Sequence, residues 1–148
     1  GDQVVLALVG DGPWMSRLNK EPSEGVLLLG YRTGVPLAEA YACGDVFAFP
    51  SDTETFGNVV TEALASGLPV VAPWKGGVTD SVIPGLTGTL IPPRDPRAMA
   101  RALIHLLEDE DERQRLSDGA RTHAESQTWD SIFDALFAGY EDAVEAVA

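Results

Sequence analysis

The chain has 148 residues, 45% of them hydrophobic, which is enough for one domain with a sizeable core. Its formal net charge of −13 argues against a nucleic-acid-binding surface, because phosphate backbones attract dense positive charge. One cysteine, Cys43, excludes an internal disulfide, and no apolar run reaches the ~18 residues of a membrane-spanning helix. Since the chain also begins without a signal-peptide pattern, we expect a cytoplasmic protein.

Short Val- and Leu-rich runs alternate with longer segments of helical periodicity. This alternation predicts βα units around a parallel sheet, and the continuous apolar runs are typical of strands that helices cover on both faces. The predicted strands are Val4–Val9, Val26–Leu29, Val46–Phe49, Val70–Ala72 and Thr87–Ile91. The predicted helices are Pro13–Lys20, Pro36–Ala42, Asn58–Ser66, Pro96–Glu108, Glu110–Glu125 and Trp129–Val147. The fold class is therefore α/β, a Rossmann-like parallel sheet flanked by helices, with a helical C-terminal third.

The segment SDTETFGNVVTEALASG, residues 51–67, leads from the third predicted strand into a helix. Asn58 and Glu62 are four residues apart and share the open side of that helix, while Glu54 precedes it in the loop. The carboxyl ends of parallel strands form the usual ligand cleft of such a sheet, so we expect both glutamates to border it. The opposite, apolar arc of the helix should pack on the sheet; its residues are Val59, Val60, Ala63 and Leu64.

A helix start bordered by two acids offers both donors and acceptors to a ligand. Backbone amides at Phe56, Gly57 and Asn58 would donate to anions or hydroxyl oxygens, and the carboxylates of Glu54 and Glu62 would accept from a sugar diol. A simpler interpretation is that the acids only favour the helix dipole, an effect of ~0.3–1 kcal/mol. The residues alone leave both interpretations open.

The longer string FPSDTETFGNVVTEALASGLPVVAPWKGG resembles the Glu-x7-Glu signature of retaining glycosyltransferases of family 4, the group 1 type with a GT-B fold. LVGDGPWMSRL, GYRTGVPLAEAYACGDVFAFPS and GLTGTLIPPRDP are similar to further segments of that family, and the terminal TWDSIFDALFAGYEDAV looks like its closing helix. The chain departs from the family pattern at Thr55, where Gly is frequent, and at Thr79 and Asp80. These departures concern the identity of the sugar.

The resemblance implies a role for each residue around the helix start. Glu54 is the catalytic-site acid, which holds hydroxyl groups of the donor sugar. The amides of Phe56, Gly57 and Asn58 face the sugar and the diphosphate, and Glu62 holds the ribose hydroxyls.

The resemblance also places donor-binding residues earlier in the chain. Tyr31 and Arg32 would border the base. Gly10 and Gly12 would approach the phosphates, although Gly-Asp-Gly-Pro is also an ordinary turn sequence. Lys75, after the fourth predicted strand, could reach a phosphate or remain in solvent.

By this resemblance, residues 1–148 form the nucleotide-sugar-binding, C-terminal domain of a GT-B enzyme. The enzyme would transfer a hexose from a nucleoside-diphosphate sugar, such as UDP- or GDP-hexose, to an acceptor with retention of configuration, and it would use no cofactor and no metal. Two alternatives are a GT-B nucleotide-sugar epimerase and a non-catalytic Rossmann-like interaction module. The Phe-Gly step between the acids favours the transferase, and the intact Glu54 and Glu62 argue against the module.

The resemblance implies that the N-terminal acceptor domain and the first βα unit, with an Arg and a Lys that clamp the diphosphate, are absent from this chain. We therefore expect it to be inactive alone and to self-associate through open sheet edges, or to pair strands that the family keeps apart. The full enzyme could sit peripherally at the inner membrane face. His105 and His123 show no acidic partner or cysteine spacing, so no metal site is predicted, and Cys43 is expected to be buried.

Overall fold

Strands and helices alternate along the chain in the computed structural model, which describes residues 4–21, 23–51, 53 and 57–146. Five strands and seven helices lie within those ranges, and the strands pair in parallel. These observations confirm the predicted α/β class with parallel sheets and a helical C-terminal third. The chain divides into two units, Gly1–Cys43 and Gly44–Ala148.

The first unit is a βαβα segment. Its elements are β1 (Leu6–Val9), α1 (Met15–Lys20), β2 (Val26–Gly30) and α2 (Val35–Ala42). Strands β1 and β2 form a two-stranded parallel sheet in which Leu6 is opposite Val26. Most side chains of β1 are exposed within the described residues, so the expectation that helices cover every strand on both faces is wrong for β1. Cys43 is also exposed rather than buried, because it follows the last turn of α2 instead of facing a core.

The second unit holds a three-stranded parallel sheet in the order β3-β4-β5. Its strands are β3 (Phe47–Ala48), β4 (Val70–Pro73) and β5 (Gly88–Ile91), and its helices are α3 (Asn58–Ala65), α4 (Val78–Ser81), α5 (Pro96–Glu108), α6 (Glu110–Ser126) and α7 (Trp129–Glu145). Strand β3 is shorter than predicted, although the Phe49 amide still donates to the Val71 carbonyl oxygen at 2.9 Å. The short helix α4 was not predicted; it has only four residues and follows two glycines.

Strand β4 is the centre of the core, and all four of its residues are buried. From α3, Val60, Ala63 and Leu64 are buried, as the sequence predicts, whereas Val59 is 40% exposed and lies at the margin of the apolar arc. A second group of buried side chains joins the sheet to the C-terminal helices: Val71, Ile91, Ala98, Leu106 and Leu116. Each large side chain fully buried in this way contributes about 1.5–3 kcal/mol.

Side-chain caps fix the starts of the last three helices. Asp95 Oδ1 accepts from the Ala98 amide at 2.8 Å, Asp109 Oδ1 from the Glu112 amide at 2.9 Å, and Thr128 Oγ1 from the Ser131 amide at 3.1 Å. Such caps satisfy amides that have no partner within the helix. Among the described residues, no helix is both long and apolar enough to span a membrane.

Candidate functional site

Three of the predicted donor-binding residues lie at one edge of the β1–β2 sheet. Gly10 follows β1, and Tyr31 and Arg32 follow β2, so all three come directly after the carboxyl ends of neighbouring parallel strands. The Gly10 amide donates to the Gly30 carbonyl oxygen at 2.9 Å, which ties the two loops together. Tyr31 is 74% exposed, and Arg32 is exposed as well, so both side chains are accessible to a ligand.

The loop at Gly10 leaves room for a ligand to approach the backbone closely. Gly10 has a φ of 136°, and no atom lies within 4 Å of the position of a Cβ at Gly10 or at Gly12. The Gly12 amide is already used, because it donates to Asp11 Oδ1 at 2.7 Å. A mainly apolar recess of about 330 Å³ borders the same loop and is lined by residues 11–15 and Leu18. A phosphate would therefore meet open backbone at Gly10 and would compete with Asp11 for the Gly12 amide.

In the second unit, the candidate residues lie at the start of α3. Gly57 is its N-cap residue, with φ 72° and ψ 45°, and is buried. This left-handed conformation costs an L-residue roughly 1–2 kcal/mol, which explains why glycine stands there. Asn58 and Glu62 are exposed on consecutive turns of α3, opposite the side that packs on the core. Glu54 and Phe56, the other two predicted residues, lie outside the described residues.

The α3 N-terminus has no side-chain cap among the described residues. The Gly57 carbonyl oxygen accepts from the Val60 amide at 2.7 Å, which starts the helical hydrogen bonds. Helix geometry leaves the first amides of any helix without an acceptor inside the helix, and the helix dipole adds partial positive charge at that end. A helix start of this kind favours an anion or a hydroxyl oxygen, and Glu62 lies one turn further on.

Two basic residues follow the other strands of this sheet at their carboxyl ends. Lys75 comes after β4 and Arg94 after β5, and both are exposed. Arg94 has a φ of 59°, the one positive φ among the described non-glycine residues, and such strain is often kept at functional positions. Arg94 was not among the predicted site residues; its place beside prolines at the end of a predicted strand is the sequence signal that could have identified it.

His105 does have an acidic partner, so the sequence-based description of it was wrong. Its Nε2 lies 2.8 Å from Glu112 Oε2, because the α5–α6 corner brings residues seven positions apart into contact. Asp109 lies in the same cluster, but it caps α6, and Arg115 Nη2 lies 3.5 Å from Glu112 Oε1. Because the Arg115 guanidinium already lies beside Glu112 and Asp109 caps α6, we interpret this cluster as stabilising the α5–α6 corner rather than binding a cation. The predicted lack of a metal stays a prediction.

Comparison with known proteins identifies relatives of this chain. A sequence model of the family described as "Glycosyl transferases group 1" matches residues 1–109. A GDP-mannose-dependent alpha-mannosyltransferase of Mycobacterium tuberculosis is 42% identical over 139 residues, which cover 93% of this chain and 36% of the mannosyltransferase. The chain thus spans about a third of the length of this curated relative.

Two solved structures share the fold. Sucrose-phosphate synthase from Thermosynechococcus elongatus is 31% identical with a TM-score of 0.77, over 95% of this chain and 39% of that one. Anabaena HepE, solved in complex with UDP-glucose, is 27% identical with a TM-score of 0.78, over 97% of this chain and 42% of HepE. The family match covers more than half of the chain and the mannosyltransferase is similar along nearly all of it, so this chain belongs to the group 1 glycosyltransferases.

Proposed function

We propose that this chain is the donor-binding part of a retaining glycosyltransferase, which transfers a hexose from a nucleoside-diphosphate sugar to an acceptor. The observation that carries the proposal is the α3 start, where the helix begins on a left-handed glycine and Glu62 is exposed one turn further on. The names of the relatives support transfer over epimerisation: one is a GDP-mannose-dependent mannosyltransferase, and HepE was solved with UDP-glucose.

Each part of the donor has a matching group in this proposal. Glu62 accepts from the ribose hydroxyls, and the amides at the α3 start, from Phe56 to Asn58, donate to the diphosphate and the sugar. Glu54 accepts from sugar hydroxyls next to the reacting carbon. The family resemblance further assigns Gly10 and Gly12 to the phosphates and Tyr31 and Arg32 to the base.

Departure of the nucleoside diphosphate is the step that this part of the enzyme would assist. As the bond from the sugar to the diphosphate breaks, negative charge grows on the leaving oxygen. Fixed amide donors at a helix start stabilise that charge without reorganising, and Lys75 and Arg94 add positive charge at the carboxyl ends of β4 and β5. In this proposal no metal or other cofactor takes part.

A calorimetric titration with UDP and with GDP tests the nucleotide assignment. We expect the wild-type chain to bind at least one of them and Glu62→Gln to weaken that binding, because a charge-assisted hydrogen bond is lost, by about 1.5–3 kcal/mol. Glu108→Gln removes the same charge from an exposed position at the end of α5 and should leave binding unchanged. Equal affinities of wild type and Glu62→Gln would refute the ribose assignment.

A further inference from the structure

Trp74 is an exposed tryptophan to which the proposed donor site assigns no role. It follows β4 at the carboxyl end of the strand and is 67% exposed, although all four residues of that strand are buried. Tryptophan is highly buried on average in folded proteins, and ligands of parallel α/β sheets bind at the carboxyl ends of the strands. The indole ring of Trp74 is therefore available to a ligand at that edge.

Backbone hydrogen bonds fix Trp74 from both sides. Its amide donates to the Ile91 carbonyl oxygen at 2.7 Å, which extends the pairing of β4 with β5 by one residue, and the Lys75 amide donates to the Pro73 carbonyl oxygen at 2.8 Å. The second bond closes a γ-turn centred on Trp74, a kind of turn that is common at strand ends. Because the backbone is already ordered and the side chain has only two rotatable bonds, the ring loses little conformational freedom when a ligand binds.

The register of the strand places Trp74 on the same face of the sheet as α3. Side chains alternate along a strand, so Trp74 continues the row of Val70 and Ala72. Val71 belongs to the other row and packs with Ala98 of α5, in a buried group that includes no α3 residue among those described. Since α3 also contacts β4, it covers the face of Val70 and Ala72. The first turn of α3 and Trp74 therefore lie on one face, at the carboxyl edge of the sheet.

We propose that the indole ring of Trp74 is a stacking surface for the hexose of the donor, an inference that rests on the proposed function. A pyranose carries C–H groups on its faces and hydroxyl groups around its edge. An aromatic ring can bury such a C–H face, while the polar groups at the α3 start bind the hydroxyl groups. Trp74 thus contributes to recognition of the hexose, as Glu62 does to that of the ribose.

The nucleobase is the other part of the donor that can stack on an indole ring. The proposed function assigns the base to Tyr31 and Arg32, which belong to the first unit of the chain. Trp74 belongs to the second unit and shares a sheet face with α3, whose start is assigned to the diphosphate and the sugar. These positions favour the hexose over the base as the group that stacks on Trp74.

Calorimetric titration of the 148-residue chain with UDP, UDP-glucose, GDP and GDP-mannose tests the inference. We expect Trp74→Ala to lower the affinity for the nucleotide sugar about three- to tenfold and to leave the affinity for the bare nucleotide unchanged. Trp74→Phe keeps an aromatic face and should retain most of the affinity. Trp129→Ala is the matched control, because it removes an indole that is 74% exposed in α7 and should change neither affinity.

The indole N–H resonance of Trp74 gives a second measurement that does not depend on affinity. It is identified in the NMR spectrum by its absence from Trp74→Phe. We expect this resonance to shift further with the nucleotide sugar than with the bare nucleotide, whereas the resonance of Trp129 stays in place. Equal shifts with both ligands would contradict stacking on the hexose.

Failure of this inference can be told apart from failure of the proposed function. If Trp74→Ala binds the nucleotide sugar as tightly as the wild type does, the inference is overturned and the proposed function stands. An equal loss of affinity for the bare nucleotide would identify the base as the stacked group and would also overturn it. A wild type that binds none of the four ligands would contradict both. Because Trp74 is exposed, the thermal midpoint of Trp74→Ala should be unchanged, and a large decrease would overturn the inference by showing that the ring packs within the chain.

Discussion

Glu54 and Glu62 address different parts of the donor in the proposed site, and this difference can be measured. Glu62→Ala should lower affinity for UDP and UDP-glucose alike, since the ribose is common to both. Glu54→Ala should lower affinity for UDP-glucose while UDP binding is kept. Each lost charge-assisted bond should cost about 1.5–3 kcal/mol, measured by competition calorimetry. A loss of UDP affinity in Glu54→Ala as large as in Glu62→Ala would show that the roles are not divided in this way.

Gly88 allows β4 and β5 to approach each other. A Cβ at this position would overlap the Val70 carbonyl oxygen, so Gly88→Ala should force the strands apart. We expect a loss of about 1–3 kcal/mol in the free energy of unfolding, measured by urea denaturation. Gly139→Ala is the matched control: no atom lies within 4 Å of its Cβ position in α7, and Ala favours a helix. A Gly88→Ala chain as stable as the Gly139→Ala chain would contradict the described pairing of β4 with β5.

At the level of elements, α6 is fixed to the core by one side of its surface. Leu116 is fully buried, whereas Ile104 of the neighbouring helix α5 is 53% exposed. Leu116→Ala should therefore destabilise the chain by about 2–5 kcal/mol, and Ile104→Ala by much less. Thermal and urea unfolding of both variants would measure the difference. Similar losses for the two would mean that α5 and α6 pack through other faces.

The periodicity of the sequence predicted most elements, because a buried strand and an amphipathic helix each leave a local apolar pattern. Strand β4 and the buried side of α3 at Val60, Ala63 and Leu64 are such cases. The His105–Glu112 contact could not be predicted in this way, since it depends on the angle between α5 and α6. Helix α4 was missed because two glycines precede only four helical residues. The helix-start pattern and the family resemblance both predicted a site at Gly57, and its left-handed φ gives the physical reason for the glycine.

At the scale of the whole molecule, these 148 residues match 36% of the mannosyltransferase relative, and the proposed function assigns them donor binding alone. Without both substrates held together, the ~7–11 kcal/mol gained from proximity is lost. We expect no turnover with UDP-glucose or GDP-mannose in a coupled nucleotide-release assay. Measurable turnover by this chain would show that the acceptor site lies within it. The single-domain assignment, the cytoplasmic location and self-association through sheet edges stay predictions, and light scattering addresses the last of these.

The net charge of the chain also affects its affinity for the donor. The chain carries a formal charge of −13, which repels an anionic ligand, so the affinity for a nucleoside-diphosphate sugar should be weak. The contacts from Lys75, Arg94 and the α3 amides should weaken further as salt screens them. Calorimetry across a salt series checks this, and submicromolar affinity that is independent of salt would contradict it.

Saturation-transfer NMR of the 148-residue chain with UDP-glucose and GDP-mannose tests the central claim most directly. If the chain is the donor-binding part of a glycosyltransferase, ribose and hexose protons of at least one donor receive saturation from the protein. The ribose signals then fall in Glu62→Gln and persist in Glu108→Gln. Absence of saturation on the ribose and hexose protons of both donors, from a chain shown to be folded, would contradict the account.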